Sequence, residues 1–569
     1  MLDRTQIVDE NFKTKVRAKD FPPPLSSISL VEASLSTQQF LNLFDSMMIS
    51  RHLDFMAREL KEKQQGFYTI GSSGHEGNAA VAAAFRHTDP AFLHYRSGAF
   101  MMERARYLPE IDMINDTLLS LTASREDPIA GGRHKVWGSL ALCVPPQTST
   151  IASHLPKAVG MAFSLTRAKE LKMNSTFLVD SVVLCSFGDA SFNHSTAQGA
   201  FNTAAWIAHT HYPLPLVFVC EDNGIGISVP TPKRWIVDNM SPSVDLHYMV
   251  ADGLNPIDVY AKSILAANIA RIQKKPVFLH LKMVRLLGHA GSDIESQYQN
   301  DSEIASREGN DPLLHTAREI IAAGLMTAEA IVERYGHWRH VIQEKAAKAV
   351  LKPRLENKEA ILASLIPPRR NRSGLALVGE AERQKVFGDL ADQLSLKRNL
   401  SQCINLALID AMLSEPSIVL FGEDVAKKGG VYRVTPGLLE RFGQRRVFDT
   451  LLDEQTILGL AIGFAQNGFL PIPEIQFLAY LHNAIDQLRG EAATLSFFSN
   501  GQYTNPMLIR IASLAYQKGF GGHFHNDNSF AAIRDIPGVI IACPSNGGDA
   551  AKMLRTGLEK ALVEQRIVV

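Results

Sequence analysis

Three short apolar runs, SVVLCSFGD (181–189), PLVFVCEDN (215–223) and KPVFLHLKMV (275–284), constrain the fold of this chain more than any other feature. Each has the length of one strand, none alternates polar with apolar residues, and helical patterns separate them. A strand that is apolar on both faces must be covered on both, which points to a parallel sheet between layers of helix. The pattern runs over residues 36–365 and predicts an α/β domain there, behind an N-terminal extension at 1–35.

A second α/β pattern begins near Leu400. It consists of a helix, the strand SIVLFGED (417–424), a glycine-rich turn, a helix around Glu454 and the strand LPIPEIQF (470–477). The intervening stretch LIPPRRNRSGLALVGEAERQK (365–385) is polar and basic and carries two helix-breaking prolines. It offers little to bury, so a linker over 366–395 and a second domain over 396–569 are expected. The run RIVV (566–569) opens like a strand, which suggests that the second domain is truncated at its C-terminal end.

With 569 residues the chain needs more than one core. Lys plus Arg equals Asp plus Glu at 58 each, so no net field recruits nucleic acid or an anionic membrane. The charged N-terminal region is not a signal peptide, and no run of about 18 apolar residues marks a membrane span. The five cysteines (Cys143, Cys185, Cys220, Cys403, Cys543) are widely spaced and include no C-x-x-C pair. A reduced, cytoplasmic setting is the expectation.

The chemistry concentrates where two of the strands end, in GDA (188–190) and EDNG (221–224). In a parallel sheet such ends share one edge, where these folds bind ligands, so Asp189 and Asn223 converge there. Magnesium takes a few oxygen ligands and completes its shell with phosphate oxygens. One carboxylate and one amide beside a diphosphate meet that need. Read alone, GDA is also a tight turn capping a helix, and DNG a loop with glycine in a left-handed conformation.

Together these strand ends resemble the signature of the thiamine diphosphate enzymes, GDG followed some thirty residues later by NN. Ala190 departs from it in place of glycine, and Asp222 in place of the first asparagine. The resemblance covers nearly the whole chain and is closest to the two-subunit 2-oxo acid dehydrogenases, decarboxylating component, fused alpha before beta. It implies two transketolase-like domains, thiamine diphosphate and Mg2+ as cofactors, and an α/β fold with two parallel sheets. FYTIGSSGHEG (67–77), HYRSGAF (94–100), STIASHLPKAVG (149–160) and RLLGHAGSD (285–293) follow the order of the alpha subunit. By that resemblance Asp189, Asn223 and Ile225 hold the metal. Tyr95, Arg96, Ser149, Ile151, Gly188, Ala190 and Arg285 contact the cofactor, and His289 sits on a loop beside the thiazolium. Arginine forks match phosphate oxygens, although solvated surface arginines and an exposed, inactive histidine remain the plainer readings.

The second half resembles the beta subunit in FGEDV (421–425), GGVYRVTPGL (429–438), RVFDTLLDEQTILGLAIG (446–463), PEIQFLAY (473–480) and GHFHNDNSF (522–530). The resemblance makes Glu454 the carboxylate that bonds the aminopyrimidine and drives its imino tautomer. An apolar pocket suits that task, because desolvation raises a carboxyl pKa. The plain alternative is a water-facing glutamate at a helix N-terminus. Leu452, Gln476 and Tyr480 map onto the pyrimidine pocket, or else pack in a core. His525 aligns with a second active-site histidine, where the family's HSQ reads HND.

The implied reaction is oxidative decarboxylation of a 2-oxo acid with acyl transfer to the lipoyl group of a dihydrolipoyl acyltransferase. GFYTIGSSGHE (66–76) resembles the branched-chain enzymes, which makes 3-methyl-2-oxobutanoate the first substrate, with pyruvate or acetoin behind it. The family's α2β2 assembly becomes a homodimer for a fusion. A noncatalytic scaffold relative is the rival from another class. A nucleotide-binding oxidoreductase is disfavoured because no strand leads into G-x-G-x-x-G.

Overall fold

The computed structural model describes residues 4–23, 28–67, 70–148, 150–514 and 522–569. The chain divides into two compact units. Unit 1 is Met1–Gln147, Ser181–His194 and Ala204–Ile361; unit 2 is Thr148–Asp180, Ser195–Thr203 and Leu362–Val569.

Unit 1 is built on a five-stranded sheet of β1 (Ala91–Phe92), β2 (Val183–Gly188), β3 (Leu216–Asp222), β4 (His247–Asp252) and β5 (Val277–Lys282), in the order β1-β2-β3-β5-β4. All four pairings are parallel. Strands β2 and β3 are buried along their whole length, as their uninterrupted apolar runs require. The edge strand β4 alternates instead and was not evident in the sequence. The long helix Thr37–Glu62 starts at a capping box, Ser36 with Gln39. It buries Phe40, Leu43, Phe44, Met47 and Met48 in the largest apolar cluster of the unit.

Unit 2 carries two parallel sheets. One is β6 (Ile418–Gly422), β7 (Val447–Asp449), β8 (Leu470–Ile475) and β10 (Arg510–Ile511), ordered β10-β8-β6-β7. The other joins β9 (Met507–Leu508), β11 (Val539–Ile540) and β12 (Ile567–Val568) in the order β11-β12-β9. The run RIVV thus does enter a strand, with Ile567 paired to both Val539 and Met507.

The tightest packing in unit 2 joins helices His154–Leu171 and Glu454–Gln466. Glycines make it possible. A Cβ on Gly463 would lie 2.2 Å from Met161 N, and one on Gly160 would lie 2.5 Å from Leu460 O. The two backbones touch only because neither helix carries a side chain there.

The stretch 366–395 does more than connect. Leu375 and Phe387 are buried in the apolar cluster of unit 2, Glu380–Phe387 is helical, and Arg372 pairs with Glu415 at 2.7 Å. Two apolar residues in a polar segment were enough to seat it.

Among the described residues, no helix is long and apolar enough to cross a membrane.

Candidate active site

In unit 1, β2 and β3 are parallel neighbours with Gly188 opposite Glu221, so Asp189 and Asn223 leave the sheet on one edge. Asp189 opens the short turn Asp189–Asn193 and is 1% exposed. Burial pushes its carboxyl up to about 7 against a hydrogen bond from Thr231, with Asp222 adding to the rise. A buried carboxylate so placed favours a cation as its partner.

After β3, Gly224 adopts φ +77°, the left-handed turn expected of DNG. Asn223 is held from two sides: its Nδ2 lies 3.0 Å from His75 Nε2, and its Oδ1 accepts from Ile225 N at 3.2 Å. Ile225 itself is buried. Carboxylate, amide oxygen and main-chain carbonyl form the hard donor set that magnesium takes, so these residues fit that ion.

Both departures from the family pattern have a structural reason. Gly226, whose Cβ would lie 3.3 Å from that of Ala190, leaves room for the extra methyl. Asp222 faces elsewhere, 2.8 Å from His280 Nε2 and 2.5 Å from Lys282 Nζ. Burial opposes its ionisation, yet these two partners hold its carboxyl down to about 2.

Arg96 is buried, which removes the solvated-arginine reading. Its Nη1 donates to Gly71 O at 2.5 Å, and its Nη2 lies 3.1 Å from His289 Nδ1 and donates to His289 O at 3.2 Å. The guanidinium also stands 5.1 Å from the Tyr95 ring centroid. The Tyr95 ring meets the His289 ring edge-on at 5.9 Å, and Tyr95 O accepts from Trp137 Nε1 at 2.8 Å. Tyr95, Arg96 and His289 therefore form one cluster. His289 is half-buried, and burial followed by Arg96 and Arg285 lowers its pKa to about 4, so it is a neutral ring near pH 7.

Arg285 is buried as well, but its Nη1 donates to Gly226 O at 2.6 Å and its Nη2 to Tyr298 OH at 2.8 Å. In this arrangement it braces the loop after Asn223. Gly188 adjoins His94, where a Cβ would come 3.1 Å from Nε2.

In unit 2, Glu454 is the first residue of its helix and is 7% exposed, so the water-facing reading fails. Its Oε2 accepts from Asn483 Nδ2 at 3.0 Å, and Asn483 Oδ1 accepts from Gln455 Nε2 at 3.2 Å. Burial, then the charges of Glu454, Asp424 and Asp453, push the neighbouring carboxyl of Glu423 up to about 7.

Gln476 and Tyr480 are half-buried beyond β8. The Tyr480 ring lies 5.6 Å from Phe477 and 6.4 Å from His525, and Phe477 meets His525 edge-on at 4.6 Å. His525, with Tyr432, Arg510, Ile511 and Phe530, lines a cavity of about 780 Å3. Leu452 is 78% exposed and Ile151 39%, so neither belongs to a core. Ser149, Tyr68 and Thr69 lie outside the described residues.

Sequence reasoning passed over Asn483 and Glu423, and also His75, His94 and Glu221. His75 and His94 stand inside quoted segments, but nothing in a single sequence shows which residue a buried histidine meets.

The family described as dehydrogenase E1 component matches residues 44–358. A second, described as transketolase, pyrimidine binding domain, matches residues 397–568. The chain is similar to 3-methyl-2-oxobutanoate dehydrogenase subunit beta of Mycobacterium tuberculosis, 41% identical over 155 residues, 27% of this chain and 44% of the relative. It is similar to pyruvate dehydrogenase E1 component subunit beta of Staphylococcus epidermidis, 39% identical over 163 residues, 28% of this chain and 48% of the relative. The Bacillus subtilis protein of the same name is 37% identical over 158 residues, 27% of this chain and 46% of the relative. The chain thus spans about half the length of the curated relatives it matches.

Proposed function

The chain belongs to the dehydrogenase E1 component family, and from that premise we propose that it decarboxylates a branched-chain 2-oxo acid of the 3-methyl-2-oxobutanoate type. The acyl group passes to the lipoyl group of a dihydrolipoyl acyltransferase, in a cytoplasmic, homodimeric assembly. The observation that carries the reading is the paired set at one sheet edge: a buried carboxylate, Asp189, beside a fixed amide, Asn223.

Bound thiamine diphosphate supplies a nucleophilic carbon and an electron sink for the carboxyl carbon's departing bond. Asp189, Asn223 and the carbonyl of Ile225 would hold Mg2+, which would offset the charge of the diphosphate. Arg96 would add a fixed positive charge there, with Gly188 and Ala190 lining the cofactor. Glu454, oriented by Asn483, would share a proton with the pyrimidine ring nitrogen, and Leu452, Gln476 and Tyr480 would hold the ring. His289, neutral and pinned by Arg96, positions the substrate carboxylate and accepts or returns a proton at Nε2. His525, in unit 2, would be the second active-site histidine of the resemblance. Arg285 acts by bracing the loop that carries Ile225.

The branched-chain preference rests on the segment GFYTIGSSGHE. A pyruvate-specific reading is the alternative, since relatives named for either substrate stand at 41% and 39% identity. One or two methylenes change preference by roughly 10- to 200-fold. Decarboxylation with an artificial electron acceptor, at saturating thiamine diphosphate and Mg2+, compares the two acids directly. A kcat/KM about tenfold or more in favour of 3-methyl-2-oxobutanoate is expected. Preference for pyruvate would reverse the substrate assignment, and turnover of neither would favour the scaffold reading.

A further inference from the structure

Behind Asn223 lies a second donor set of different chemistry. His75, His94 and Glu221 are all buried, and each offers one ligand atom within 4.8 Å of the other two. They come from three separate places in unit 1: the GHEG segment before helix Asn78–Ala84, the end of the segment after β1, and the penultimate residue of β3.

Each side chain is fixed. His75 Nδ1 lies 2.7 Å from Glu221 Oε2, which also accepts from Asn78 Nδ2 at 3.3 Å. His94 donates its main-chain N–H to Ser186 Oγ at 2.8 Å, and its ring packs 3.9 Å from Tyr95 and 5.9 Å from His75. Next to His94, Gly188 contributes no side chain, and the Cβ it lacks would sit 3.1 Å from His94 Nε2. Arg96, the nearest cation of the cluster already described, turns its guanidinium onto Gly71 O and His289.

We propose that His75, His94 and Glu221 form a binding site for an imidazole-preferring first-row divalent cation of the Zn2+ or Co2+ class, separate from the oxygen donors Asp189 and Asn223. Two imidazoles and one carboxylate are the donor set of a three-ligand zinc site with one open position. Magnesium, which prefers oxygen in octahedral geometry, does not match it. Metal–nitrogen bonds of about 2.0–2.1 Å place tetrahedral ligand atoms a little over 3 Å apart, so His75 Nδ1 and Glu221 Oε2, now 2.7 Å apart, would open slightly if both bind, while separations nearer the 4.8 Å limit would close. The ion also neutralises Glu221, a carboxylate enclosed between two imidazoles.

Binding is linked to Asn223. If the ion takes His75 Nδ1, the neutral ring carries its proton on Nε2, which then no longer accepts from Asn223 Nδ2. If it takes Nε2, that lone pair is used directly. In either case the 3.0 Å bond between His75 and Asn223 is given up.

The test uses the full chain, stripped with chelator and titrated with Co2+ while the ligand-field absorption bands are followed, with bound metal counted by elemental analysis. One equivalent of Co2+ with the intense bands of a four-coordinate site is expected. Glu221→Gln and His75→Ala should weaken binding by a hundredfold or more, and circular dichroism reports whether each variant is folded. Glu221→Gln keeps the shape of the site and serves if His75→Ala does not fold. Asn223→Ala, which removes the bond the ion must displace, should bind Co2+ at least as tightly as the parent, and Asp189→Asn should leave it within a few-fold. Absence of stoichiometric Co2+ in the parent would overturn the proposal, as would undiminished binding in folded Glu221→Gln. A loss greater than tenfold in Asp189→Asn or Asn223→Ala would place the ion at the oxygen donors instead. The readout is binding and spectroscopy, so it stands or falls apart from the proposed decarboxylation.

Discussion

In unit 1 the candidate residues are held by charge, whereas in unit 2 they are held chiefly by packing. Around Asp189 and Asn223 buried polar groups hold one another: Arg96 holds His289, Arg285 holds the loop after Asn223, and Arg51 holds Glu76 and Asp311. Unit 2 presents Glu454 on a helix locked at Gly459 and Gly463 against a second helix, with one amide on the carboxylate. The difference suits the proposed tasks. A diphosphate and its metal need fixed charges, and a proton shared with a weakly basic ring needs an apolar setting with few competing partners.

If charge holds unit 1, its most buried ion network should be the costliest to break. Arg51 is fully buried, with Nε 2.7 Å from Glu76 and Nη1 2.8 Å from Asp311. Arg51→Met leaves two buried carboxylates unpaired and should destabilise the protein by about 3–5 kcal/mol, read from denaturant unfolding. A loss below about 1 kcal/mol would mean that packing governs unit 1 too.

If packing holds unit 2, a single methyl should be felt. Gly463→Ala forces its Cβ against Met161 N, which is backbone and cannot swing aside. Overpacking of this kind costs about 1–3 kcal/mol, and the thermal midpoint measures it. An unchanged midpoint would show that the two helices separate freely.

The smallest effects are the most diagnostic, because His289 in unit 1 and Glu423 in unit 2 should respond to pH with opposite sign. His289 has its pKa lowered from 6.5 to about 4, so the folded state resists a proton that the unfolded chain takes, and stability is lost as pH falls through that window. Glu423 has its pKa raised from 4.5 to about 7, so stability is lost as pH rises through that window. His289→Asn should therefore gain relative to the parent near pH 5, and Glu423→Gln near pH 8, in unfolding measured at both. A gain confined to pH 8 for His289→Asn, or to pH 5 for Glu423→Gln, would break the comparison.

The sequence disclosed these regions unequally, for a physical reason. The strands β2, β3, β5, β6 and β8 were legible because a doubly covered strand must be apolar throughout. The short edge strands β1 and β4 were not, since an edge relaxes that demand. The convergence of Asp189 and Asn223 followed from topology alone. What could not be read was partnership: that Arg285 turns to Gly226, that Asn483 meets Glu454, and that His75 and His94 flank Glu221. Nor did the apolar run after Glu454 reveal that its glycines receive a helix from the first half of the sequence, because a close approach leaves no mark on the residues that permit it.

We propose that metal-linked cofactor retention rests on Asp189 in unit 1 and that activation of the aminopyrimidine rests on Glu454 in unit 2. This division is tested most directly by measuring thiamine diphosphate affinity, by tryptophan fluorescence with Mg2+ present, beside decarboxylation in Asp189→Asn and Glu454→Gln. Asp189→Asn should lose saturable binding. Glu454→Gln should bind within a few-fold of the parent while kcat falls by about 10²- to 10⁴-fold. Turnover within tenfold of the parent in Glu454→Gln, or undiminished binding in Asp189→Asn, would contradict it.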